Sequence, residues 1–184
     1  MKQAKYGLLI YLFLMIPLIA RSLEHIMVTH MLVQIPLLIF SGSLMARYFQ
    51  IKFPFFFEKW NGNGIPGIVL FIIITIYWMI PRIMDETLML QSVEIFKFIS
   101  LPFLAGVSLR DSWKKLSVTG KTFVIFNYIS MFGFMGWFYV DSPIQICNNY
   151  LKVEQQILGW GFLIITGAMI VYVLQMVFID QSEN

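Results

Sequence analysis

The sequence predicts an all-α, polytopic membrane helix bundle with about six transmembrane helices, and three observations predict it. Hydrophobic residues make up 59% of the chain and charged residues only 12%. Mean hydropathy is +0.77, far from the balance of a soluble domain. The apolar residues fall in six stretches, near 6–20, 26–47, 65–84, 89–110, 120–140 and 157–179. Each is comparable to the roughly 20 residues that cross about 30 Å of hydrocarbon. Hydrocarbon cannot satisfy open backbone groups, and these runs are longer than a barrel strand, so they are read as helices. Almost nothing remains for a soluble domain, and residues 1–184 read as one transmembrane domain.

The first stretch resembles a signal peptide in placing Lys2 and Lys5 before an apolar core. Leu18-Ile19-Ala20 lacks the small residue expected three positions before a cleavage site, which predicts that the segment is retained. It is short and contains Pro17, so it is expected to tilt or to borrow length from its flanks. Between the second and third stretches, FQIKFPFFFEKW mixes aromatic rings with two lysines, the composition of an interfacial anchor or of a docking surface. Asn61-Gly62-Asn63-Gly64 and Pro66 then mark a turn. Trp78 and Pro81 close the third stretch, one suited to the interface and the other to stopping a helix. Small residues at 41–43, 105–106, 133 and 136, 159 and 161, and 167–168 predict close helix crossings.

Basic residues in short loops orient a membrane protein, because Lys and Arg resist translocation. Lys2, Lys5, Arg47, Lys52, Lys59, Arg110, Lys114, Lys115 and Lys121 lie on one side, against Arg21, Arg82 and Lys152 on the other. Both termini are therefore expected in the cytoplasm. The net charge of +3 is mostly a product of this topology. No aromatic-and-basic stripe suggests nucleic acid, so partners are expected within the lipid bilayer.

The opposite, outward side holds both histidines and six of the ten acidic residues. Within EHIMVTHMLVQ, Met27, Met31 and Gln34 recur at helical spacing below Glu24, and His30 sits three residues after Met27. Two thioethers and an imidazole suit Cu(I), whereas carboxylate and amide oxygens suit harder ions. The bland reading is a polar helix end satisfied by neighbouring helices, with methionine as packing material. His25 lies about 140° around a helix from His30, so the two share a site only if the helix begins after His25. Glu94 and Lys97 are three residues apart, close enough to pair within the membrane or to snorkel from a shallow position. Cys147 is the only cysteine, which excludes an intrachain disulfide and leaves either an inert thiol or a redox or copper role.

Three blocks, in order, resemble the CtaG-type cytochrome oxidase assembly family. IMVTHMLVQIPLLIFSG is similar to that family's His-Met-x-x-His-Met followed by Pro and Gly, through His30, Met31, Pro36 and Gly42, with Ile26 in place of the first histidine. WMIPRIMDETL keeps W-x-x-P-x-x-x-D-x-x-L through Trp78, Pro81, Asp85 and Leu88. VEQQILGWGFLIITGAMIVYVL resembles the Gln-containing entrance to a Gly-rich last helix, through Gln155, Gln156, Gly159 and Gly167. The family's histidine after the block-two tryptophan is Met79 here, and its histidines on the next helix have no counterpart.

The resemblance implies a non-enzymatic factor in a prokaryotic plasma membrane that assists assembly or copper loading of a respiratory haem-copper oxidase. Copper is the implied cofactor, with Met27, His30, Met31 and Met79 as its ligand set. Glu24, Trp78, Asp85, Gln155 and Gln156 are expected to gather as an outer polar cluster, Asp85 bonding one of the two glutamines. Asp85 is also expected to matter more for stability than Asp111 at the other end. The alternative is a stable accessory subunit of a membrane metalloenzyme, an oxidase or copper monooxygenase, in which the metal site has decayed. A small transporter comes third, resting on Glu94 and Lys97 alone, without the repeats and interrupted helix pairs that mark a midplane substrate site.

Overall fold

A computed structural model describes residues 2–182, and among them every regular element is a helix. The chain opens with α1 (Lys2–Met15) and α2 (Pro17–Glu24), bent by 73° at Ile16. The residue before a proline is driven out of the helical region, and Ile16 has φ −61° and ψ 122°. Pro17 then starts α2 at a position where its missing N–H is harmless. The first stretch is thus broken, and the tilt expected of it is a corner.

Helix α3 (Met27–Lys52) begins two residues after His25. Thr29 ties this joint by donating its hydroxyl to the carbonyls of Leu23 at 2.7 Å and Ile26 at 2.9 Å. Helix α4 (Pro54–Asn61) turns by 85° into α5 (Ile65–Met79) through Gly64. Gly64 holds φ +79°, in the left-handed region that glycine enters without steric penalty. Phe55 and Phe56 on α4 are exposed while Phe57 is buried. Ile80 is extended before Pro81, which starts α6 (Pro81–Met89). Then follow α7 (Gln91–Trp113), α8 (Val118–Asp141), the irregular loop 142–151 and α9 (Lys152–Ser182).

Four helices, α3, α7, α8 and α9, are long and apolar enough to cross a membrane, or up to six spans if each bent pair counts as one. The protein is an all-α bundle for a lipid bilayer, as its sequence predicts.

Helices α3 and α7 each contain a π-helical segment, His30–Gln34 and Ser100–Gly106. Each adjoins or contains a proline. Pro36 offers no N–H to the carbonyl of Leu32 and crowds it, and Pro102 does the same to Phe98. A wider turn relieves that crowding: the Ile35 N–H reaches the His30 carbonyl, and the Val107 N–H the Pro102 carbonyl. The two helices cross with almost no space between them. A Cβ on Gly42 would lie 1.9 Å from the Pro102 carbonyl oxygen, and one on Gly106 would lie 2.2 Å from that of Ile39. Helix α8 packs chiefly along α9, and only 22% of its apolar window is buried, against 50% for α7.

Candidate functional site

The end of α2, the π segment of α3 and the first turns of α7 meet at the acid-bearing end of the bundle and bury three polar side chains together. Lys97 on α7 donates to Glu24 Oε1 on α2. Gln34 Nε2 donates to the same oxygen at 3.1 Å, and Gln34 Oε1 accepts from Lys97 Nζ at 3.3 Å. Lys97 and Gln34 are fully buried and Glu24 nearly so. A charge in this position is tolerated only with a partner, and each member here answers another. The expected pair of Glu94 with Lys97 is therefore replaced. Lys97 turns inward to Glu24, while Glu94 lines an open cleft above the pair.

Tyr150, from loop 142–151, fixes the second part of the site. Its hydroxyl donates its one hydrogen to the Glu24 carbonyl at 2.8 Å and lies 2.8 Å from His30 Nδ1. A carbonyl can only accept, so the proton of the His30–Tyr150 bond belongs to Nδ1. In the neutral ring Nε2 then carries a bare lone pair. That nitrogen is buried and has no hydrogen-bond partner among the described residues. Buried polar atoms are nearly always paired, so an orphaned imidazole nitrogen calls for an explanation.

The other predicted site residues take separate places. Met27 and Met31 are buried in the core with Trp78 and Met84, and Met79 packs half-buried against it. Met31 and Met79 line one apolar cavity of about 360 Å³, whose walls do not include Met27 or His30. The predicted four-ligand set is thus not gathered around one cavity. Among the described residues no three His, Cys, Asp or Glu side chains cluster as metal ligands.

Asp85 and Gln155 share the same end but do not meet. Asp85 accepts from the Asn148 N–H at 2.8 Å and the Asn149 N–H at 3.3 Å. Gln155 Oε1 accepts from the Ile146 N–H at 2.9 Å, and its Nε2 donates to the Tyr139 carbonyl. Both grip loop 142–151, which separates them, and this corrects the expected direct contact. Gln156 is half-buried and makes no hydrogen bond to a described residue, and Trp78 donates to Ser100 Oγ at 2.9 Å instead of joining the cluster. Cys147, fully buried in the loop, has its thiol pushed up to about 12 by burial and by the Asp85 charge. Burial also raises the Tyr150 phenol, followed by the charge of Glu24. Both groups stay protonated at neutral pH, which keeps the Tyr150 hydrogen bond in place.

Above the network lies a cleft of about 610 Å³ with Arg21, Glu24, His25, Glu94, Tyr150 and Glu154 in its walls. Among the described residues, Glu24 and Tyr150 both line the cleft and bond within the network, so they form its floor. Sequence reasoning identified Glu24, His30 and Gln34 but missed Tyr150 and the partner of Lys97. Tyr150 stands in irregular backbone, where periodicity carries no signal. Comparison with known family models, curated proteins and solved structures finds no match.

Proposed function

We propose that the protein is a non-enzymatic membrane factor that assists maturation of a respiratory haem-copper oxidase by holding Cu(I) in transit on its outward face. The observation that carries this reading is the orphaned lone pair of His30 Nε2. Tyr150 holds the ring in the Nδ1–H tautomer, so Nε2 needs no proton removed before it can bind a metal. The fixed Nδ1 partner also orients the ring, the arrangement that metal-binding histidines adopt through their second nitrogen. The nearest thioethers along the helix are those of Met27 and Met31, both buried. Imidazole and thioether favour Cu(I) over Zn(II), which takes thiolate, imidazole or carboxylate. Copper here is cargo, and the cleft that opens above the adjoining network carries the carboxylates of Glu24, Glu94 and Glu154. The charge asymmetry of the loops supports an outward orientation for this end, and the three family-like blocks supply the oxidase as client.

The test is copper content of the purified protein in reducing buffer, with a chromogenic Cu(I) chelator as competitor. About one Cu(I) per chain is expected, with loss of most binding in His30→Ala and partial loss in Met27→Leu. No retained copper, or equal retention by His30→Ala, rejects metal handling.

A second reading is favoured by the α8–α9 hairpin, which leaves Phe134, Trp137 and Trp160 exposed along its length. Such a face suits a stable subunit packed against a larger membrane metalloenzyme. Purification in mild detergent separates the two readings, because a subunit remains with its complex in fixed ratio and an assembly factor does not.

A further inference from the structure

Helix α8 stands away from the helices it faces, and the gap is a continuous groove. Its two compartments, of about 360 and 460 Å³, share Ser43, Phe71, Leu109 and Tyr128 in their walls. The inner compartment runs on to Met79 and Phe162, and its lining is almost wholly apolar. The outer one ends at the basic face of the bundle between Arg110 and Trp113. One hydroxyl bridge crosses the gap, Tyr128 to Thr75 at 2.5 Å, so the polar groups of the narrow part are already satisfied.

Arg110 gives the groove its chemistry. It is half-buried and makes no salt bridge or side-chain hydrogen bond to a described residue. Lys115, just past the end of α7, is by contrast paired with Asp111 at 2.8 Å. A guanidinium at the mouth of an apolar channel, beside a tryptophan suited to the headgroup layer, presents the complement of an amphiphile with an anionic head. We infer that this groove binds one anionic phospholipid, its phosphate on Arg110 and one acyl chain running past Ser43 and Tyr128 toward Met79.

The occupant would complete the contact that α8 lacks. Helix α8 packs chiefly on α9, and the hairpin reaches the rest of the bundle through few contacts on the α8 side. An acyl chain in the groove fills the space between α8 and the α3–α7 crossing, and so couples the hairpin to the body. This inference does not depend on the copper reading, since the groove opens toward the other end of the molecule.

The experiment is native mass spectrometry of the delipidated protein after titration with phosphatidylglycerol or phosphatidylcholine in detergent. One tightly retained phosphatidylglycerol is expected, with weaker phosphatidylcholine. Arg110→Gln should reduce retention about tenfold, the loss of one charge-assisted contact. Ser43→Phe should block both lipids by closing the shared stretch, and Lys114→Gln, outside the groove wall, should leave binding unchanged. If Ser43→Phe fails to fold, Arg110→Gln alone decides. Equal retention of the two lipids, no effect of Arg110→Gln, or a neutral isoprenoid quinone outcompeting phosphatidylglycerol would overturn the assignment.

Discussion

Each end of this bundle buries an acidic side chain among polar partners, and the two ends are finished to different degrees. At the basic end Asp111 accepts from Gln50 at 2.7 Å, from Asn61 at 2.6 Å and from Lys115 at 2.8 Å. Asn61 also accepts from the Gly67 N–H at 2.9 Å, so the cluster nails the 85° corner between α4 and α5 to the end of α7. At the acid-bearing end Glu24, Lys97 and Gln34 satisfy one another, but the adjoining His30 keeps a lone pair unused and a cleft opens overhead. Where every donor and acceptor is spent on the protein itself, the cluster serves the fold. Where one is left over in a rigid setting, it is available to something else.

The largest effect expected from this contrast is at Lys97. Lys97→Met leaves the Glu24 carboxylate buried without its counter-charge, and breaking a buried pair from one side costs about 3–5 kcal/mol. Removing both charges, with Glu24→Gln and Lys97→Met together, should recover most of that loss. The exposed Arg82–Glu86 pair provides the reference, since its arginine side chain is 85% exposed and such pairs contribute about 1 kcal/mol or less. Unfolding of Lys97→Met, the double variant and Arg82→Met in mixed detergent micelles measures the difference. An effect of Lys97→Met no larger than that of Arg82→Met would mean that water reaches the pair.

A smaller effect separates the two aspartates, and here the structure reverses the sequence expectation. Asp111 lies just past the apolar stretch 89–110, and it is buried under three donors, one of them charged. Asp85 holds mainly backbone N–H groups of one loop. Orphaning buried groups costs about 1–3 kcal/mol, with the charged lysine pushing Asp111→Ala to the upper part of that range. Asp85→Ala should lie at the lower part and act locally, exposing residues 142–151 to protease while the α4–α5 corner stays protected. Greater global destabilisation by Asp85→Ala would restore the original expectation.

What the sequence made legible follows from what one-dimensional patterns encode. Apolar run length gave the spans, and small residues at 42 and 106 marked close crossings without saying that they meet each other; Pro17 marked the first stretch as irregular, but the tilt expected there is a corner. Spacing along a helix also ranked Glu24, His30 and Gln34 together. Spacing does not report which helix lies alongside, and for that reason Lys97 was paired with Glu94 on its own helix instead of with Glu24, far earlier in the chain. The same gap explains Asp85 and Gln155, which were assigned to the correct end but to each other. Loop 142–151 lies between them, and its backbone, invisible to side-chain patterns, is what both of them bind. Nor does hydropathy foresee a π turn; Pro36 and Pro102 were visible, but a proline signals strain without saying how it is relieved.

The smallest expected effect, a chemical one, concerns Cys147 at the acid-bearing end. A thiol raised to about 12 leaves about one thiolate in ten thousand at pH 8. An unfolded cysteine, near its ordinary value of about 8.5, would expose a substantial fraction as thiolate at the same pH. Because the shift is upward, reactivity toward iodoacetamide should remain low through neutral pH and rise only in strong alkali. Burial is the larger cause and the Asp85 charge the smaller. Asp85→Ala should therefore speed alkylation, by loosening the loop more than by removing the charge, whereas Asp111→Ala should leave it unchanged. Alkylation rates of the native protein at several pH values, with denatured protein as the upper limit, report this directly. Fast labelling of the native chain at pH 8 would show that loop 142–151 opens on its own. Tyr150 could not then hold His30 in one tautomer, and the distinction between the finished and the unfinished end would no longer stand.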